Sequence, residues 1–187
     1  KDKVENAIKK GLGNIDADNY EANRYEGYGP GGIAIIVETL TNNKNRTASE
    51  VRSAFSKNGG NMGETGSVGF MFDRIAVITY PLDKADADSM FEAALEAGAE
   101  NCETDGEAHA ITCPMVDFGA VREALETKFG EATSTKMQWQ PQNTIAINEE
   151  QATSLIKLIE TLEDNDDVQE VASNFEIDDA VLEKISA

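Results

Sequence analysis

The chain of 187 residues has two cysteines, one tryptophan, one histidine and four prolines. With Cys102 and Cys113 as the only thiols, it does not resemble a disulfide-stapled secreted scaffold. The two also lack a C-x-x-C spacing. With His109 as the only imidazole, neither a His-based metal site nor a Ser-His-Asp arrangement has its partners. No apolar run approaches the roughly 18 residues of a membrane helix; the longest clean one is Ile33 to Val37. No signal-peptide pattern is present. The expectation is a cytoplasmic protein with no membrane partner.

Positive charge is the other shortage. There are 16 Lys and Arg against 35 Asp and Glu, a net charge of −19. The imbalance is local. Lys1 to Arg74 carries ten basic and ten acidic side chains, whereas Ile75 to Ala187 carries six and 25. The second part should repel a phosphate backbone, so nucleic acid is expected at the first part or ahead of it. The acidic surface is left for protein partners.

What is present is alternating strand and helix patterning, in a chain long enough for one or two cores. "KDKVENAIKK" reads as the end of a helix, stopped by Gly11 and Gly13. Strand character at Arg24 to Tyr28 is followed by a buried β-branched run at Ile33 to Leu40. A helix is predicted from about Thr47 to Lys57 with Ala48, Val51 and Phe55 inward, and a strand at Val68 to Phe72. Residues 75 to 80 begin a second unit. Its helix at about 85 to 97 is expected to place Met90, Phe91, Ala94 and Leu95 inward. Two strands, a helix with Val121, Leu125 and Phe129 inward, and a last strand follow. This order is β-α-β-β-α-β, the ferredoxin-like arrangement. Asn148 and Gln151 then form a capping box for a long helix, with Leu155, Ile156, Ile159 and Leu162 as its core stripe. A strand and a short helix end the chain. The predicted fold is α+β: residues 1–19 close an N-terminal helical domain and linker, 20–74 and 141–187 form one split domain, and 75–140 form the ferredoxin-like domain inserted in it.

Gly27, Gly29 and Gly32 match G-x-G-x-x-G. A phosphate-binding loop of that spacing follows a strand and opens a helix. Here a strand follows directly, G-K-[ST] is missing, and Pro30 has no N–H to offer. A tight turn between two strands accounts for the glycines. No cofactor, catalytic residue or metal site is predicted. Glu163 to Asp167, "EDNDD", lacks the glycine and final Glu of a calcium loop and reads as a turn. His109, Ile111 and Cys113 alternate on one strand and read as packed residues.

The stretch "RYEGYGPGGIAIIVETLTNNKNRTASEVRSAFSKNGGNMGETGSVGFMF", Arg24 to Phe72, resembles the signature region of the YebC/PmpR family. The likeness continues through "KADAD", "EAGAE" and "VASNFEID". That family includes bacterial transcriptional regulators and a mitochondrial translational activator. The resemblance implies three domains, the third inserted in the second. It also implies a basic N-terminal helical bundle whose end is "KDKVENAIKKG" and whose beginning precedes Lys1. It implies no active site or cofactor. Its partners would be nucleic acid: DNA for a transcriptional regulator, or ribosomal RNA and the ribosome for a translation factor.

Lys44, Arg46, Arg52 and Lys57 form the one basic cluster, opposed between Asn42 and Asn61 only by Glu50. They fit phosphate contacts, with Asn42, Asn43 and Asn45 as polar support; a solvated helix face is the alternative. Arg24, Tyr25 and Tyr28 bracket the glycine loop, where the tyrosines either stack on RNA bases or pack at the strand edge. No helix-turn-helix is legible for reading a major groove.

Overall fold

The computed structural model describes residues 19–186, and the helix expected at Lys1 to Lys10 lies outside them. The described residues divide into two compact units: 19–72 together with 141–186, and Asp73–Gln140. The fold is α+β, with a four-stranded antiparallel sheet in each unit.

In the first unit, strands β1 (Glu21–Gly29) and β2 (Ile33–Thr41) form an antiparallel hairpin, paired from Glu21 opposite Thr41 to Gly29 opposite Ile33. The link is a single turn, Pro30–Gly32, in which Gly31 and Gly32 have φ of 78° and 74°. That left-handed backbone is open to glycine at little cost. The short β3 (Asn61–Met62) borders β1, and β9 (Val168–Ser173) runs antiparallel to β2. Helices α1 (Lys44–Lys57) and α4 (Glu149–Glu163) bury one sheet face. Ile33, Ile35 and Val37 meet Val51, Ala54 and Phe55 of α1 and Ala152, Leu155, Leu158 and Leu162 of α4. Two short parallel strands, β8 (Ile145–Ala146) and β10 (Phe175–Glu176), precede and follow this core, and α5 (Asp179–Ser186) packs Val181 and Ile185 on it.

The second unit holds β4 (Phe72–Pro81), α2 (Ala87–Glu96), β5 (Asn101–Thr104), β6 (Ala108–Pro114), α3 (Phe118–Phe129) and β7 (Ser134–Pro141). The sheet order β5-β6-β4-β7 is that of a ferredoxin-like unit. Ala76, Ile78 and Tyr80 pack with Met90, Ala94, Ile111, Cys113, Val121 and Leu125. Arg74 lies over the Trp139 ring, 5.0 Å from its centroid.

Three expectations are corrected. Val68 to Met71 is not a strand: Gly69–Met71 is a single 3-10 turn, and the strand that starts at Phe72 belongs to the sheet of the second unit. The backbone N–H groups of Gly66, Val68 and Gly69 bond the Glu26 carboxylate instead of a neighbouring strand. In α2 the inward residues are Met90, Ala93 and Ala94, while Phe91 and Leu95 are exposed. The alanines let the helix sit close to the sheet, which narrows the buried stripe. In α4, Leu158 is fully buried and Ile156 is only half-buried. The predicted capping box is present, with the Asn148 side chain accepting from the Gln151 N–H at 2.9 Å and the Gln151 side chain accepting from the Asn148 N–H at 3.1 Å.

Candidate nucleic-acid interface

Helix α1 starts three residues earlier than its apolar pattern suggests because Asn43 caps it. The Asn43 Oδ1 accepts from the Arg46 N–H at 3.1 Å, and Thr41 Oγ1 accepts from the Asn43 N–H at 2.9 Å. The cap brings Lys44 and Arg46 into the first turn. All four cations of the cluster are exposed. They do not share one face. At about 100° per residue, with Val51 and Phe55 turned to the core, Arg46 and Lys57 fall on one flank of α1 and Arg52 on the other, while Lys44 lies on the core side of the wheel and is exposed as the first residue of the helix.

The flank of Arg46 faces the acidic turn 164–167 that leads into β9. Arg46 Nη2 donates to Asp167 Oδ2 at 2.8 Å and to Asn42 Oδ1 at 3.4 Å. The hydroxyls of Thr41 and Thr47 donate to the same Asp167 oxygen, at 3.1 and 2.8 Å. Asn165 Nδ2 donates to Glu50 Oε2 at 2.6 Å. A cleft lined by Glu50, Ser53, Lys57, Thr161 and Asn165 continues along this side. Burial pushes the Asp167 carboxyl up, but hydrogen bonds from Arg46, Thr47 and Thr41 outweigh it and hold it below the ordinary value. The hydrogen bond to Asp167 and then its charge raise Arg46 in turn. Arg46 therefore joins elements as well as presenting charge. Lys44 and Arg52 meet no carboxylate among the described residues, which leaves their charge outward.

Arg24, Tyr25 and Tyr28 are separated by the pleat of β1. Tyr25 turns to the helices, packs on the core, and keeps a buried hydroxyl without a hydrogen-bond partner. Burial raises its pKa, and the charge of Asp167 adds to this. Arg24, Glu26 and Tyr28 turn to the opposite face. There Arg24 Nε pairs with Glu38 Oε1 at 2.7 Å, and Tyr28 is exposed. The two tyrosines thus do not make one stacking platform.

Glu26 is 1% exposed and anchors the strap from Glu64 to Met71. It accepts from the Gly66 N–H at 2.6 Å, from the Val68 N–H at 3.1 Å, and from the Gly69 N–H. Sequence reasoning missed both Glu26 and Asp167 as buried anchors. Among so many acids, only tertiary packing marks these two.

The remaining candidates are packed residues. His109 is buried, with Nδ1 2.7 Å from Thr104 Oγ1 and Nε2 2.9 Å from the Ala85 carbonyl. Because that carbonyl can only accept, Nε2 is the donor in the second bond. Cys102 and Cys113 are buried free thiols, and burial raises the pKa of both. No group of three or more His, Cys, Asp or Glu among the described residues is placed to hold a metal ion. At the glycine loop, β2 follows the turn directly, so the loop opens a strand and not a helix; the first turn of α4 packs beside it, with Gln151 against Gly31.

A family model of transcriptional regulators, described as the TACO1/YebC second and third domain, matches residues 20–175. The chain belongs to the TACO1/YebC family. It is also similar to the conserved hypothetical protein Aq1575 from Aquifex aeolicus, known from a crystal structure. The two are 41% identical, with a TM-score of 0.80 over 94% of this chain and 73% of the other. The TACO1/YebC match includes β1, the glycine turn, α1 and the Asp167 turn, so every candidate residue above lies within it. No helix among the described residues is long and apolar enough to cross a membrane.

Proposed function

We propose that this chain is the body of a cytoplasmic, non-catalytic regulator of gene expression that binds DNA through its phosphates. Lys44 at the N-terminal end of α1 and Arg52 on its outward flank make the leading contacts. Arg46 and Lys57 contribute from the other flank, and Arg24 and Tyr28 from the outer face of β1. Tyr25 serves the core instead. The observation that carries this reading is the charge distribution. Outward cations concentrate on one helix of a chain whose remainder from Ile75 has a net charge of −19. Family membership supports regulation as the role.

A second reading is a translation factor that binds ribosomal RNA. Strands separate each helix from the next among the described residues, so no helix-turn-helix is available to read bases in a major groove. Phosphate contact without base reading suits structured RNA as well as DNA.

The test is fluorescence anisotropy with a DNA duplex and with a ribosomal RNA hairpin, each at several salt concentrations. It is paired with sedimentation of the protein in a lysate. Salt-dependent duplex binding and recovery of promoter fragments on crosslinking support the first reading. Preference for the hairpin and sedimentation with ribosomes support the second. Binding of neither nucleic acid at low salt rejects both.

A further inference from the structure

The second unit carries a surface of a different kind. Among the described residues, strand β5 is an edge of its sheet, with β6 on one side and no strand on the other. The Cys102 N–H donates to Oδ1 of its neighbour Asn101 at 2.9 Å, a bond that a partner strand's carbonyl could replace. Helix α2 packs against β5. On α2, Lys128 of α3 reaches Glu96 at 3.8 Å, which fixes the flank turned to α3. Phe91 and Leu95, one turn apart, lie on the opposite flank beside the open edge. They are 41% and 45% exposed.

Charge selects the occupant. From Ala85 to Val121 there are nine carboxylates and no Lys or Arg. Asp88, Glu92, Glu100 and Glu103 are exposed around the apolar pair and the edge. A nucleic acid is repelled here, and so is the same face of a second copy. We propose that the β5 edge with Phe91 and Leu95 docks an extended segment of another protein, rich in Lys or Arg alternating with apolar residues. The segment adds a strand to β5, sets apolar side chains on Phe91 and Leu95, and pairs its cations with the surrounding carboxylates. This surface is independent of α1, so it stands or falls separately from the nucleic-acid reading.

The probe is a fluorescein-labelled peptide of alternating lysine and valine, titrated into the whole chain at low salt. Binding should shift the backbone amide signals of Asn101 to Thr104 in an NMR titration. Phe91→Ser with Leu95→Ser should weaken it about tenfold, the effect of uncovering two partly exposed apolar side chains. Glu100→Lys with Glu103→Lys, at exposed positions, should weaken it as well, so the test survives a folding defect in the first variant. A lysine-proline peptide cannot pair as a strand and should bind much more weakly. Equal binding of the two peptides would reduce the site to charge alone and overturn the proposal. So would unchanged affinity in both variants, amide shifts confined to other elements, or self-association through β5.

Discussion

Arg46 Nη2 lies 2.8 Å from Asp167 Oδ2, joining the first turn of α1 to the turn before β9 across 121 positions of sequence. The carboxylate is 7% exposed and also receives the hydroxyls of Thr41 and Thr47. One oxygen thus ties the end of β2, the start of α1 and the entry to β9. Asp167→Asn keeps the shape but removes the charge that three donors share. We expect a loss of about 2 to 3 kcal/mol at neutral pH, measured by urea unfolding. The folded-state pKa of Asp167 is depressed. Its contribution is therefore complete above the unfolded carboxylate value of about 4 and is lost as pH falls through the lower folded value. The gap between wild type and Asp167→Asn should close in that acid range. A gap of constant size down to the acid transition would show that the charge is not what stabilises this junction.

Arg46 and Arg52 should part company in melting temperature, not in the salt dependence of nucleic-acid binding. Lys44→Ala and Arg52→Ala should each lower the salt slope by about 1 while leaving the melting temperature unchanged. Arg46→Ala should also lower the melting temperature, because it strips Asp167 of its charged donor. Equal melting temperatures for Arg46→Ala and Arg52→Ala would mean that the Asp167 pair contributes nothing to stability.

Glu26→Ala should release the strap from Glu64 to Met71. Three N–H groups lose their acceptor, one of them on the fully buried Val68, at an expected cost of about 2 to 4 kcal/mol. Hydrogen exchange should rise first at Gly66, Val68 and Gly69. If exchange rises evenly across the chain, the strap is not held by this carboxylate.

The glycines of the hairpin should separate by mechanism. A Cβ at Gly27 would lie 2.6 Å from the Asn61 carbonyl oxygen and 2.9 Å from the Phe55 ring. Gly27→Ala must therefore push β3 off β1, at about 2 kcal/mol or more. At Gly32 nothing lies within 4 Å of such a Cβ, and only the positive φ opposes it. Gly32→Ala should cost about 1 kcal/mol. Thermal unfolding of the two variants reads the difference, and the reverse order would contradict the close packing of β1 on β3.

By itself, the sequence determined the α+β class, the β-α-β-β-α-β order of the second unit, the buried run of β2 and the capping box at Asn148 and Gln151. Each of these is set by neighbours a few residues apart: alternation, helical period, a cap and its reciprocal donor. The block from Arg24 to Phe72 was enough to place the chain in its family. Even the opposite facing of Tyr25 and Tyr28 follows from strand parity, once the strand is known to be continuous. Tertiary structure alone decided which acids are anchors and which cations are outward. Glu26 bonds a strap about forty residues on, and Asp167 bonds an arginine 121 residues back. It also decided that Phe91 and Leu95 stay outside, although their spacing looks like that of a core stripe. Those outcomes depend on which surfaces meet when distant segments pack, and a local pattern carries no record of that.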